Sequence, residues 1–196
     1  MNGNDELMRR IAALSEEERG QVRDFVTFLE WRRGEVSGDA AAAQAGWRFN
    51  FLEHFADADT RASKNPAGME VKVAAATANG VPRPALWQHP PVKGESLVEY
   101  HVPVPAGVRD LRLRFSTGIR DGAQGQEQLV AFRVKVDGWQ VWSRADWPRQ
   151  WSSAEIELPF QAGNVLRLAF ATDALGSHQW AWAAWAEPEL VGRLAS

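Results

Sequence analysis

The fold turns on the stretch "VAFRVKVDGWQVW", residues 130–142. Val130, Phe132, Val134 and Val136 alternate with small or charged residues, the period of two that marks a strand with one face on a core. Asp137-Gly138 follows, and a type I′ turn needs two residues that tolerate positive φ, so "WQVW" is predicted as the returning strand of a hairpin. Parity along that strand places Trp139 and Val141 on one face and Gln140 and Trp142 on the other. With Trp139 assigned to the core, Trp142 falls outside it.

Working outward, the same alternation recurs in Val98, Tyr100, Val102; Leu111, Leu113, Phe115; Ile156, Leu158, Phe160; and Leu166, Leu168, Phe170. Breaks rich in Gly, Pro, Asn and Asp separate these runs: "VPAGVRD", "GIRDGAQGQ", "FQAGN" and "DALGS". Such spacing is that of an antiparallel sandwich. Arg112, Arg114, Arg133, Lys135, Arg167, Glu99, Glu155 and Glu157 occupy the alternate positions and are read as a solvated outer face with cross-strand ion pairs. No internal repeat of propeller or solenoid length emerges. The fold class expected is therefore mainly β, a two-sheet antiparallel jelly-roll sandwich of about eight or nine strands, with an N-terminal α-helical hairpin.

That hairpin is read from residues 1–34. Leu7, Ile11 and Leu14 recur at helical spacing, then Ser15 with Glu18 forms a capping box that predicts a break and a second helix. Val22, Phe25, Val26 and Leu29 give the second helix an apolar stripe, and Gly34 stops it. Two short helices cannot bury such a stripe alone, so they should dock on the body or pair with another chain. Residues 35–46, small and polar, form a linker. The sandwich domain occupies residues 47–196.

With a formal net charge of −3, the chain has no field to attract nucleic acid or an anionic membrane. It has no cysteine, which excludes disulfides, thiol catalysis and thiolate metal sites. Neither a signal-peptide pattern nor a long apolar run is present, and a soluble, cytoplasmic protein is expected. Ten Trp stand beside a single Tyr, and that excess asks for an explanation.

Four segments in order, "ALWQHPP", "LRFSTGIRDGAQGQEQLVAFRVKVDGWQVW", "NVLRLAFATDALG" and "WAWAAWAEPEL", lie within residues 85–191. Together they resemble the galactose-binding-like jelly rolls, specifically the NPCBM type of carbohydrate-binding module. The resemblance implies a noncatalytic module that binds sugars, and related jelly rolls often carry a structural calcium. The pattern's usual acidic residue before its closing segment is replaced here by Ala181 and Trp182. The helical stretch "LSEEERGQVRDFVTFLEWRR", residues 14–33, resembles a segment of small antitoxin-related bacterial proteins.

No nucleophile elbow, zincin motif, phosphate loop or dinucleotide fingerprint occurs, so no enzyme is expected. "DADT", residues 57–60, suggests a calcium loop, but Ala62 stands at the sharp-turn position and Gly68 where a bidentate Glu belongs. Asp121, Asp137 and Asp173 are read as turn residues. No cofactor is therefore expected. The aromatics remain, because an indole face stacks on the C–H face of a pyranose while a few polar groups fix its hydroxyls. The candidate ligand-binding residues are Trp87, Gln88, His89, Trp142, Arg144, Asp146, Trp147, Trp151, His178 and Trp180. Trp142, Trp147 and Trp151 are expected at the surface, with Trp139 in the core. Two readings stay open. The chain is either a carbohydrate-binding module working through exposed Trp, or an assembly protein whose helices and outer Trp face bury against each other or a second copy.

Overall fold

The computed structural model describes residues 3–14, 46–64, 70–124, 129–158 and 164–194. The chain divides into two compact units, residues 1–43 and 44–196. In the first, helix α1 (Gly3–Ala12) ends in a turn at Ala13 and Leu14. Among the described residues, one short helix of the expected hairpin is present. The capping box at Ser15 and the second helix lie outside them, as does the linker up to Ala45. No helix among the described residues is long and apolar enough to cross a membrane.

The second unit is a sandwich of two antiparallel sheets. One sheet runs β3 (Val71–Ala78), β4 (Val81–Gln88), β11 (Ala183–Leu194), β6 (Val108–Ile119), β9 (Ser152–Glu157), with β1 (Trp47–Asn50) also paired to β11. The other runs β2 (Asp59–Lys64), β5 (Lys93–Pro103), β10 (Val165–Ala174), β7 (Val130–Val136), β8 (Trp139–Asp146). Inward residues of the two sheets meet in one core that includes Tyr100, Leu113, Phe115, Phe132, Leu168 and Trp185. The alternation in β5, β6, β7 and β10 follows the expected faces. Leu158, just past β9, is buried, and Phe160 lies outside the described residues.

Asp137 and Gly138 take φ of 50° and 84°, the left-handed pair that a type I′ hairpin requires. Parity nevertheless misplaces the tryptophans beyond it. Val136 pairs with Trp139 and Lys135 with Gln140, but Val134 pairs with Trp142, so Val141 is an extra residue in a β-bulge. The bulge brings Trp139 and Trp142 to the same face. Trp142 then reaches the core, edge-on to Phe115 at 4.8 Å and to Trp185 at 6.2 Å. Trp139, at the hairpin's free end, is 80% exposed. The expected assignment is reversed.

Candidate functional site

Trp87 sits near the end of β4, where Ala184 of β11 is its cross-strand partner and Gly118 of β6 continues the row. These neighbours are too small to cover an indole. Other groups do so: Lys72, paired with Trp87 across the β3–β4 ladder, holds its ammonium 4.4 Å from the ring centroid. From beyond β6, Arg120 lays its guanidinium 3.5 Å from the same ring and 5.1 Å from the ring of Trp182. Both are cation–π geometries. Glu70 ties the cations together, accepting from Arg120 Nη2 at 3.0 Å and pairing with Lys72 Nζ at 2.7 Å.

The segment leading into β11 completes the cluster. Arg120 donates its backbone N–H to Trp182 O, and His89 donates its own to Glu70 O, both at 3.0 Å. His89 Nε2 lies 2.9 Å from His178 O, which makes Nε2 the protonated ring nitrogen. Residues 178–183 are tightly wound: Ala181 N–H bonds to His178 O and Trp182 N–H to Trp180 O. Trp180 has φ of 65°, a left-handed conformation rare for a bulky residue. Its ring lies 5.3 Å from that of Trp182, and the residue is 37% exposed.

The electrostatics follow from this geometry. The hydrogen bond from Lys72, with Arg120 nearby, holds the Glu70 carboxyl below the usual carboxylate range. Burial pulls the Arg120 guanidinium down, while Glu70 opposes the shift. Burial also lowers His89, favouring the neutral imidazole. Chemically, the site presents indole faces ringed by a carboxylate, an ammonium, a guanidinium and imidazoles. Arg120 Nε and Trp87 Nε1 are buried without a partner in the structure.

Of the residues predicted from sequence, Trp87, His89, His178 and Trp180 come together here. The others do not. Gln88 is fully buried between the sheets, with its amide donating to Ser96 O and Phe170 O and accepting from Trp185 Nε1, so it is no ligand contact. Trp142 is a core ring, as above. Trp147 is 8% exposed and belongs to the core rather than to a surface loop. Arg144 and Asp146 pair with each other, and Arg144 also donates to Ser152. Trp151 covers Gly118 so closely that a Cβ there would lie 2.7 Å from its ring, while its Nε1 donates to Val81 O. Glu70, Lys72, Arg120 and Trp182 were not among the ligand-binding candidates read from the sequence. Their signal lies in strand register, which no local pattern carries.

Among the described residues, Asp59, Glu99 and His101 bring potential metal-ligand atoms within 4.8 Å of one another. Glu99 is already met by the guanidinia of Arg61 at 2.8 Å and Arg167 at 3.2 Å. That charge balance is one of an ion-pair network on the outer face of the sheet, not of a cation site.

No protein-family model matches the chain, and no curated protein matches it in sequence. The fold is similar to solved carbohydrate-binding modules. A family 51 module from Clostridium perfringens, solved with methyl-galactose, has 14% identity over 74% of this chain and 99% of that one, with a TM-score of 0.48. The xylan-binding first family 22 module of a Paenibacillus barcinonensis protein has 14% identity over 80% of this chain and 100% of that one, again at 0.48. For a family 35 module from Clostridium thermocellum the values are 13%, 74%, 97% and 0.44.

Proposed function

We propose that the sandwich is a galactose-binding-like jelly roll acting as a noncatalytic carbohydrate-binding module, with the Trp87, Trp180 and Trp182 cluster as its contact surface. The observation that carries this reading is Trp180. A bulky residue in the left-handed region costs energy, and such strain clusters at ligand sites, where the surrounding structure holds it. Here it leaves an indole partly open to solvent beside Trp182, with His178 two residues away. Polar groups that can hold sugar hydroxyls surround the rings, as the chemistry of pyranose recognition requires. The four ordered segments that resemble the NPCBM modules support the same reading.

The test is calorimetric titration of mono- and oligosaccharide panels into the whole chain, paired with the Trp180→Ala variant. Binding in the millimolar range or tighter is expected, weakened about tenfold or more by the substitution, which corresponds to about 1.4 kcal/mol of lost stacking. A panel with no binder, or a binder indifferent to Trp180, overturns it. A second reading, a protein-contact role, is favoured by one observation: Trp139 and Val141 stand exposed on β8, an edge strand. Light scattering that finds only monomer in the wild type and in Trp139→Ser removes self-association from that reading.

A further inference from the structure

The tip of the β3–β4 hairpin holds the groups of a spontaneous modification. Its turn is Asn79-Gly80, both residues exposed, with φ of 51° and 75°. In an Asn-Gly pair the glycine nitrogen can attack the side-chain amide of the asparagine, and glycine suits the attack because it has no Cβ to hinder the approach. A Cβ built on Gly80 would meet nothing within 4 Å, so packing shields neither the ring closure nor the water that completes it.

One carboxylate stands against that reaction. Asp121 accepts from the Asn79 N–H through Oδ1 and from the Gly80 N–H through Oδ2, each at 2.9 Å. Asp121 is itself fixed by its own N–H, which donates to Thr77 O at 2.7 Å. Its chain neighbours are set in the tryptophan cluster: the Arg120 guanidinium lies 3.5 Å from the Trp87 ring, and a Cβ on Gly122 would lie 3.3 Å from the ring of Trp182. The β7–β8 turn gives the contrast. Asp137-Gly138 has a similar left-handed pair of φ values, 50° and 84°, but no side-chain amide to lose, and Asp137 donates its N–H to a backbone carbonyl, that of Arg167, at 2.9 Å.

We propose that Asn79 is a latent site of deamidation to isoaspartate, and that the Asp121 carboxylate is the group that keeps it latent. The Gly80 nitrogen gives up its proton to solvent and attacks Asn79 Cγ. The bond from that nitrogen to Cγ forms, the Cγ–Nδ2 bond breaks, and Nδ2 leaves as ammonia after taking up a proton from water. Water then opens the cyclic imide. Addition at the backbone carbonyl carbon leaves the chain running through Cβ and Cγ as isoaspartate, and addition at Cγ leaves aspartate. No oxidant or reductant takes part. Two properties of the clamp oppose the attack. An amide anion at Gly80 would face a carboxylate at hydrogen-bond distance, and like charge disfavours the ionised form. Ring closure also needs the Gly80 nitrogen to leave Oδ2 for Cγ, which breaks a charge-assisted hydrogen bond.

The experiment incubates the full chain at mildly alkaline pH beside a synthetic peptide of residues 74–85, with isoaspartate at position 79 counted by peptide mapping and mass spectrometry. The folded chain is expected to convert at least about tenfold more slowly than the peptide. Asp121→Ala, checked for an unchanged tryptophan emission and a dispersed amide spectrum, should recover most of the peptide's rate. Hydrogen exchange supplies a measurement that needs no variant, because base-catalysed exchange of the Gly80 N–H passes through the same nitrogen anion. In wild type that exchange should also be slowed at least about tenfold relative to the peptide. Wild type that forms isoaspartate at the peptide's rate, a Gly80 N–H that exchanges at the peptide's rate, or a folded Asp121→Ala chain no faster than wild type overturns the proposal.

Discussion

Tyr100 carries its hydroxyl into the core, where it has no partner in the structure, and burial pushes its ionisation far above the usual phenol range. Its ring is held edge-on by Phe51 at 4.9 Å and Phe170 at 6.1 Å. A buried hydroxyl without a partner costs desolvation energy and returns nothing. Tyr100→Phe is therefore expected to leave the urea midpoint unchanged or raise stability by up to about 1 kcal/mol. A clear loss of stability would mean that the hydroxyl is satisfied by something else. His89 gives the opposite kind of expectation. Burial lowers it from the ordinary 6.5, so the folded chain prefers neutral imidazole while the unfolded chain takes up a proton first. Its contribution is complete above 6.5 and declines as the pH falls from there through the depressed folded value. Chemical denaturation at pH values from about 7.5 down to about 5 should show wild type losing more stability than His89→Gln; parallel curves would count against it.

At the scale of elements, the two ends of β8 separate what the bulge has done. Trp139→Ser should change unfolding free energy by no more than about 0.5 kcal/mol, as for other exposed sites, whereas Trp142→Ala should cost about 3 kcal/mol as a core truncation. Equal effects would contradict the register described for β7 and β8. This pair also shows where sequence reading stops. The alternation of large and charged residues in β5, β6, β7 and β10 was legible because each position has strong hydrophobic contrast. The Asp137-Gly138 turn was legible because few residues accept its φ. A bulge has no such mark: Val141 fits either face, and one extra residue inverts all parity beyond it. The β3–β4 hairpin went unread for another reason. Its strand "VKVAAATA" lacks contrast, although Asn79 and Gly80 take φ of 51° and 75° at its turn. Asp121 then clamps that turn, accepting from the N–H groups of Asn79 and Gly80 at 2.9 Å. In the tryptophan cluster, Trp87, His89, His178 and Trp180 were visible as residue types. Glu70, Lys72, Arg120 and Trp182 join them only through the register of four strands.

In the molecule as a whole, the two sheets are joined by apolar packing and, at one buried point, by Gln88. It belongs to β4 of one sheet, yet its Nε2 donates to Phe170 O at 2.9 Å and Ser96 O at 3.0 Å, both in the other. Its Oε1 accepts from Trp185 Nε1 at 2.8 Å, and its backbone O accepts from Thr172 Oγ1 at the same distance. Ser96 and Thr172 hydroxyls close the network at 3.2 Å. An amide whose donors and acceptor are all used fixes the offset between the sheets, because sliding them would leave buried polar groups unpaired. It also sits between Trp87 and His89, so the tryptophan cluster inherits its position from this bridge. Gln88→Leu keeps the approximate volume but strands the Trp185 N–H and removes donors from two carbonyls. A loss of about 2–4 kcal/mol in unfolding free energy is expected, because each orphaned group costs about 1–3 kcal/mol. The effect should spread: Trp180 and Trp182 lie on another segment, yet Gln88→Leu should weaken saccharide binding while leaving their chemistry intact. Wild-type stability in this variant would show that packing alone holds the sheets in register. Lost stability with unchanged binding would show that the cluster is positioned independently of the core beneath it.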